Sequence, residues 1–186
     1  MLAARAQLAL PDWLPGAIDA ARIYPDDESR VALAIDLARR NVENRTGGPF
    51  GAAVFSADGQ LLSVGVNQVI AGSCSIAHAE IIAYALAQAR LQRYRLNESG
   101  ERYVLAASAQ PCCQCYGATI WAGIDELLIG ARSEDVMELT EFDEGPLPAD
   151  WIGELERRGI RVRRDLLREA SRDVLRLYRQ HGGIAY

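Results

Sequence analysis

Two short stretches of this chain, His78-Ala79-Glu80 and Pro111-Cys112-Cys113-Gln114-Cys115, bring together an imidazole, a carboxylate and thiols spaced three residues apart. Imidazole and thiolate are common protein ligands of zinc. His78, Cys112 and Cys115 supply three such ligands and leave a fourth coordination position open. Three protein ligands with an open position are typical of a site that activates water, so the sequence predicts one zinc ion per chain.

Both stretches are predicted to begin helices. The first helix is expected from about 77 to 92, and the second from 112 to 122, directly after a strand at 102–108. Thiols three residues apart in a first turn lie on one face, and the positive end of the helix dipole lowers their pKa. If the two helix starts face each other, the three ligands meet at one point.

The carboxylate of Glu80 is expected to stay off the metal. Positions 78 and 80 diverge by roughly two hundred degrees around a helix, so Glu80 is badly placed to bind beside His78. It is free to exchange protons with a water molecule at the open position. Cys113 and Gln114 are expected to face away from the site.

The composition and net charge of the chain limit the classes of function that the sequence can have. The 186 residues fit one domain, and their net charge of -5 weighs against a nucleic-acid-binding domain. All basic residues are Arg, which excludes Schiff-base lysine chemistry and the lysine-dependent phosphate loop. No apolar run is long enough to predict a membrane span, and no secretory signal is expected. Three of the four cysteines are closely spaced, which favours metal binding and a reducing, cytoplasmic compartment over disulfides.

The remaining elements follow from periodicity and turn residues. A hairpin is predicted from strands at 50–56 and 60–66. Strands joined through single helices predict parallel pairing later in the chain. We predict an extension at 1–25, a catalytic domain at 26–180 and a tail at 181–186 that could cover the active site. Further predicted elements are a helix at 26–44, strands at 126–130 and 159–164, and a last helix at 165–180.

A closed structural zinc site is an alternative to the open one. Cys74 lies in a loop only four residues before His78. Together with Cys112 and Cys115, these two residues could complete a structural site of three cysteines and one histidine.

The arginines of the last predicted helix admit two interpretations. Arg164, Arg168, Arg172 and Arg176 recur every four residues and could contact tRNA phosphates. Acids interleave with them, however, and apolar residues form the opposite face. This pattern favours the solvent face of a packed helix, laced with ion pairs.

From Gly47 to about Glu144 the chain resembles the cytidine deaminase-like superfamily, and within it the bacterial guanine deaminases. The two zinc motifs carry the superfamily resemblance. The other matching stretches are Gly47-Gly48-Pro49-Phe50-Gly51-Ala52, Asn67, Trp121-Ala122-Gly123-Ile124-Asp125 and Phe142-Asp143-Glu144. Gln110, where the family usually has Glu, and the Cys113-Gln114 pair depart from the family pattern.

The resemblance implies a three-layer α/β/α fold with a five-stranded mixed sheet, and a homodimer that sometimes exchanges C-terminal segments. It implies that His78, Cys112 and Cys115 hold zinc, that Glu80 shuttles protons, and that Glu144 assists departure of the amine. The implied base-binding residues are Phe50, Asn67, Ala79, Trp121, Asp143 and Tyr186. By their residue types alone, Asn67 could instead be a turn residue, Phe50 and Trp121 ordinary core, and Glu144 a solvated acid.

The implied reaction is zinc-dependent hydrolysis of guanine, or of related aminated heterocycles such as triazines, within nucleobase catabolism. Two alternatives remain at this point. One is deamination of tRNA adenosine, nucleosides or cytosine, and the other is a non-catalytic interaction domain stabilised by zinc.

Overall fold

A single five-stranded sheet with the strand order β2-β1-β3-β4-β5 organises the chain. The structure, a computed structural model, describes Leu2 and residues 7–186. The strands are β1 (Gly51–Ser56), β2 (Leu61–Val66), β3 (Tyr103–Ala109), β4 (Glu126–Ala131) and β5 (Arg161–Arg163). The helices are α1 (Asp27–Glu43), α2 (Ala79–Leu91), α3 (Cys113–Ala122), α4 (Ser133–Leu139), α5 (Trp151–Glu156) and α6 (Arg168–Gln180).

The pairing of the strands is mixed, as predicted. Strand β1 pairs antiparallel with both β2 and β3, whereas β3, β4 and β5 run parallel. The buried apolar residues form two clusters, one on each face of the sheet. One cluster includes residues of α1, α4 and α6, and the other includes residues of α2, α3 and α5. The predicted three-layer α/β/α fold is confirmed.

Close packing of α2 on β2 positions the first zinc motif. A Cβ atom at Gly65 would lie 2.0 Å from the main-chain oxygen of Ala79. Only glycine lets the first turn of α2 approach the sheet this closely. Any larger residue at position 65 would therefore displace the start of α2, where His78 and Glu80 lie.

Two short helices between β4 and β5 were not predicted. The first, α4, is held by Asp135, which is only 1% exposed and accepts a hydrogen bond from the Arg132 N–H. The Asp135 carboxylate also forms ion pairs with Arg168 and Arg172 of α6. The second, α5, begins at an aspartate cap, where Asp150 accepts from the Gly153 N–H. Because distant arginines neutralise Asp135, local periodicity gives no signal for α4.

The last helix begins at Arg168, three residues later than predicted. Asp165 and Leu167 have φ angles of 67° and 52°, which interrupt the helical conformation. Arg176 pairs with Asp173 of the same helix at 2.7 Å, while Arg164 lies over the ring of Trp151. The ion pairs of this helix fit a packed helix better than a phosphate-binding stripe.

The N-terminal segment packs against the domain. Leu14 is 1% exposed, and the Trp13 indole N–H donates to the Thr46 hydroxyl at 3.0 Å. Tyr24 donates its main-chain N–H to the Gly59 oxygen. Positions 1 and 3–6 of the predicted extension lie outside the described residues. In the part of the chain that the structure describes, the helices lack the length and apolar character needed to cross a membrane.

Candidate active site

Two helix starts face each other and bring the three predicted zinc ligands together. His78 is the residue that caps α2, and Cys112 is the residue that caps α3. Neither side chain caps its own helix by a hydrogen bond, so both are free to point between the helices. The Nδ1 atom of His78 lies 3.4 Å from the Cys112 sulfur and 3.6 Å from the Cys115 sulfur.

This donor set fits zinc. Tetrahedral coordination with usual zinc–nitrogen and zinc–sulfur bond lengths places ligand atoms roughly 3.5–3.8 Å apart. The observed separations of the Nδ1 and sulfur atoms agree with that spacing. A zinc ion therefore fits between His78, Cys112 and Cys115 without rearrangement of the fold.

The two thiols are chemically unequal without metal. The pKa of Cys112 falls to about 4, first because Cys115 donates a hydrogen bond to it and then because His78 does. The same hydrogen bond, together with burial, raises the pKa of Cys115. One thiolate is thus already formed near neutral pH, and thiolate is the form that binds zinc.

Cys74 lies outside the ligand cluster. Among the described residues, the group that could hold a metal ion consists of His78, Cys112 and Cys115. The closed site with Cys74 as a fourth ligand is therefore not supported, and the fourth position is free for water.

We expect Cys74→Ser to keep one zinc ion per chain and at least half of wild-type turnover, because its thiol is not a ligand. Zinc content by atomic emission on the purified protein checks this, with Cys115→Ser as the matched variant that should lose the metal. Loss of zinc on changing Cys74 would contradict the open site.

Glu80 lies in the first turn of α2, outside the ligand group but in the same pocket. Its side chain is buried, and this burial raises its pKa to about 7, with the nearby Cys112 thiolate as a second cause. A carboxyl group with a pKa near 7 can both accept and return a proton at neutral pH.

The zinc ligands and Glu80 open into a cavity of about 260 Å³. This volume lies below the usual range for drug-sized ligands, so the cavity suits a small molecule. Apart from His78 the wall contains no basic residue. The wall is formed by Phe50, Asn67, His78, Glu80, Gln110, Cys112, Cys113, Gln114, Phe142, Asp143, Glu144, Gly145 and Tyr186.

Asn67 presents a fixed amide to this cavity. The residue is 1% exposed, and its main-chain oxygen accepts from the Asn41 side chain at 2.9 Å. Its Oδ1 accepts from the Val69 N–H. In residues 7–186 no hydrogen bond uses its Nδ2, which leaves that group free to donate to a ligand.

Three aromatic rings form one side of the cavity. Phe142 contacts Phe50 edge-on at 5.2 Å between ring centres, and Tyr186 contacts Phe142 at 4.8 Å. Sequence reasoning placed Phe142 only within a motif and assigned it no role. Its position between the two predicted rings makes it the centre of the apolar wall.

Glu144 is tied to the zinc site through the main chain. Its carbonyl oxygen accepts from the Cys113 N–H at 2.9 Å. Burial raises the pKa of its carboxyl group to about 8, with the Cys112 thiolate contributing next. Its neighbour Asp143 is exposed and accepts from the Gly145 N–H.

Two predicted base-binding residues do not reach the pocket of their own chain by their side chains. Trp121 is 76% exposed and lies nine residues along α3 from Cys112, about 13 Å from the helix start. The prediction that it walls this pocket is therefore wrong for a single chain. The side chain of Ala79 packs in the core beneath the sheet, so only its main chain could contact a base.

Cys113 and Gln114 lie in the pocket wall, contrary to prediction. They occupy the first turn of α3, whose end faces the cavity, so neighbouring positions reach the cavity as well as the metal-binding face. Gln110 was also missed as a pocket residue, although its place before Pro111-Cys112 puts it beside the site.

A sheet of this topology, with one histidine and two cysteines held between two helix starts, defines a zinc-dependent aminohydrolase. Residues 25–131 match the family model of the cytidine and deoxycytidylate deaminase zinc-binding region, and the chain belongs to this family.

Solved structures resemble nearly the whole chain. A guanine deaminase from Nitrosomonas europaea is 42% identical with a TM-score of 0.90, covering 97% of this chain and 99% of that one. An NE0047 mutant in complex with 8-azaguanine is also 42% identical, with a TM-score of 0.90 and coverage of 95% and 98%. The guanine deaminase of Bacillus subtilis is 33% identical over 117 residues, 63% of this chain and 71% of that protein.

Proposed function

We propose that this enzyme hydrolyses guanine to xanthine and ammonia, and that related aminated heterocycles such as triazines are further substrates. The observation that carries the proposal is the small cavity, whose wall contains no basic residue other than His78. Such a wall suits a neutral base and gives no partner to the phosphate of a nucleotide or tRNA. The likeness to guanine deaminases supports the same substrate.

The residues of the pocket suit each step of this reaction. Zinc, when bound, supplies Lewis-acid activation of a water molecule. Glu80 takes a proton from the attacking water and delivers it to the ring nitrogen beside the amine-bearing carbon. Asn67 donates a hydrogen bond to the base, the rings of Phe50 and Phe142 hold its plane, and Asp143 lines the outer edge. Glu144 assists departure of the amine by passing to it the second proton of the attacking water, so that it leaves as ammonia.

An ammonia-release assay on the zinc-loaded enzyme tests the proposal. The panel contains guanine, adenine, cytosine, aminated triazines, the corresponding nucleosides and tRNA. We expect guanine to give the highest kcat/KM. Turnover of tRNA or nucleosides without turnover of guanine would reject the proposal, and inactivity on every compound would favour a non-catalytic zinc domain.

We further infer that 26–180 is the catalytic domain, that 1–25 is an extension to it, and that the tail at 181–186 closes the pocket. Three contacts support the lid. The Tyr178 hydroxyl donates to the Ile184 oxygen at 2.8 Å, the Tyr186 ring packs on Phe142, and its hydroxyl lies over Gly48.

Tyr186→Ala is expected to lower kcat/KM by about 10-fold to 100-fold, because an open pocket admits water and loses part of its apolar wall. Zinc content should not change. Tyr94→Ala, which truncates a surface tyrosine that is 82% exposed, is the matched control. Equal kinetics for the two variants would reject the tail as a lid.

We infer that the enzyme is a homodimer that uses the outer face of α3. No charged residue occurs in Cys113–Ala122, and Trp121 projects from this helix into solvent. An uncharged helix face with an exposed tryptophan fits an interface between protein chains. The same contact could bring Trp121 close to the pocket of the partner subunit. Exchange of C-terminal segments remains a further prediction.

Trp121→Glu is therefore expected to shift the mass in sedimentation velocity from dimer to monomer at micromolar concentration, because a charge would be buried at the interface. Met137→Glu is the control, because Met137 is 50% exposed on α4, which packs on the opposite face of the sheet from α3. A wild-type enzyme that sediments as a monomer would contradict the dimer.

We also propose a cytoplasmic location. All four cysteines are free thiols, and thiolate ligands persist best in a reducing compartment. Cell fractionation that places the enzyme outside the cytoplasm would overturn this proposal.

A further inference from the structure

Gln110 is a buried amide without a hydrogen-bond partner. The residue is 5% exposed and lies at the end of β3, in the wall of the active-site cavity. Throughout residues 7–186 no hydrogen bond uses its side-chain oxygen or nitrogen. No protein group therefore occupies this amide, and it is available to a molecule in the cavity.

The main chain holds Gln110 firmly in place. Its N–H donates to the Ala131 oxygen of β4 at 2.9 Å. Pro111 follows and restricts the backbone of the preceding residue to extended conformations. Because the side chain is already buried, little conformational entropy is lost when it binds a ligand. This is how a recognition group is pre-organised.

Gln114 is the contrasting case in the same wall. Its Nε2 is fully enclosed and also lacks a partner. Among the described residues, only Gln114 and Ser171 have side-chain atoms that are both fully enclosed and unpaired. The unpaired amide atoms of Gln110 are therefore not fully enclosed and keep a small accessible surface. A molecule in the cavity can therefore reach the amide of Gln110.

We propose that Gln110 is a specificity-determining residue whose side-chain amide hydrogen-bonds an edge of the bound heterocycle. This inference rests on the proposed function. An amide offers one acceptor and two donors side by side. It pairs with a lactam edge, where a ring N–H adjoins a carbonyl, as in guanine. After rotation by half a turn it pairs equally well with an amidine edge, where a ring nitrogen adjoins an amino group.

The choice of an amide at this position has a consequence for substrate range. A carboxylate could only accept, so it would pair with the donor of either edge and leave the acceptor of that edge unpaired. Gln110 therefore admits both lactam and amidine edges, and the enzyme should turn over guanine and 2,6-diaminopurine with kcat/KM values within about tenfold.

The test compares Gln110→Met and Gln110→Glu with wild type on guanine and 2,6-diaminopurine. Binding of hypoxanthine is measured by calorimetry, since this base has the lactam edge but no amine to lose. Zinc content and melting temperature show whether each variant is folded and loaded. Gln88→Met is the matched control, because Gln88 is partly buried on α2 and bonds the Tyr94 oxygen outside the pocket.

We expect Gln110→Met to lower kcat/KM for both bases, and to weaken hypoxanthine binding, by about 10-fold to 100-fold. Gln110→Glu, which restores the residue usual in the family and keeps an acceptor for the donor of either edge, should lower kcat/KM for both bases less than Gln110→Met does. Folded, zinc-loaded variants with wild-type kinetics and wild-type hypoxanthine binding would overturn the role of Gln110 and leave the proposed function standing.

Failure of the proposed function has a different signature. The wild-type enzyme would then be inactive on guanine. Wild type and Gln110→Met are in that case compared on whichever base of the panel the wild type deaminates. An unchanged kcat/KM for that base in Gln110→Met rejects the role of Gln110 as well. Absence of turnover and of hypoxanthine binding in wild type would reject both.

Discussion

Glu80→Gln is expected to bind one zinc ion per chain and to lose turnover by about 10²-fold to 10⁴-fold. The ligand group does not include Glu80, so zinc content should not change. The amide keeps the size of the side chain but can neither take a proton from water nor return it to the base. The loss should appear in kcat, because both proton transfers belong to the reaction rather than to binding.

The matched control is Glu98→Gln, which changes an exposed acid in the turn before β3. It should retain wild-type kcat and zinc. Single-turnover kinetics and metal analysis on the same preparations make the comparison. A Glu80→Gln enzyme with zinc and full kcat would reject proton transfer by Glu80.

The zinc site was predictable from sequence because its geometry is local. Cys112 and Cys115 lie in one helical turn, so their spacing alone places both thiols on one side. His78 and Glu80 diverge for the same reason. Only the position of the two helix starts opposite each other depends on the tertiary fold. The predicted mixed sheet accounts for that position.

The helix α4 was not predictable, because long-range neutralisation stabilises it. Asp135 is buried only where Arg168 and Arg172 approach from α6, more than thirty residues away in sequence. A local window contains the acid but not its partners. No element was therefore predicted between the strands at 126–130 and 159–164, although this segment holds both α4 and the pocket residue Glu144.

The pocket wall shows a similar limit. Asn67 and Phe50 lie in the pocket wall. Trp121, in contrast, lies too far along α3 to reach the zinc ligands in its own chain. The helical-wheel argument also failed for Cys113 and Gln114. It describes the sides of a helix, whereas the cavity lies at the end of α3.

Glu144→Gln is expected to lower kcat by about 10²-fold, because the pocket would lose a group that can exchange a proton with the departing amine. Glu141→Gln is the matched control, since Glu141 lies three residues earlier and is absent from the pocket wall. A fall in kcat for both variants, or for neither, would reject a specific role for Glu144.

The same substitution should change the pH dependence of stability in the zinc-free protein. Burial raises the pKa of Glu144 from an ordinary 4.5 to about 8, so between these pH values the folded state binds more protons than the unfolded state. The free energy of unfolding of the wild type therefore falls as pH rises through this window.

Glu144→Gln removes this contribution, while Glu80, whose pKa is also raised, retains its own with the same sign. The variant should gain stability relative to wild type on going from pH 5 to pH 8, by on the order of 1–3 kcal/mol in urea unfolding. A difference independent of pH would contradict the burial of the Glu144 carboxylate. Lower activity together with higher stability at pH 8 would mark Glu144 as a group kept for the reaction at the expense of the fold.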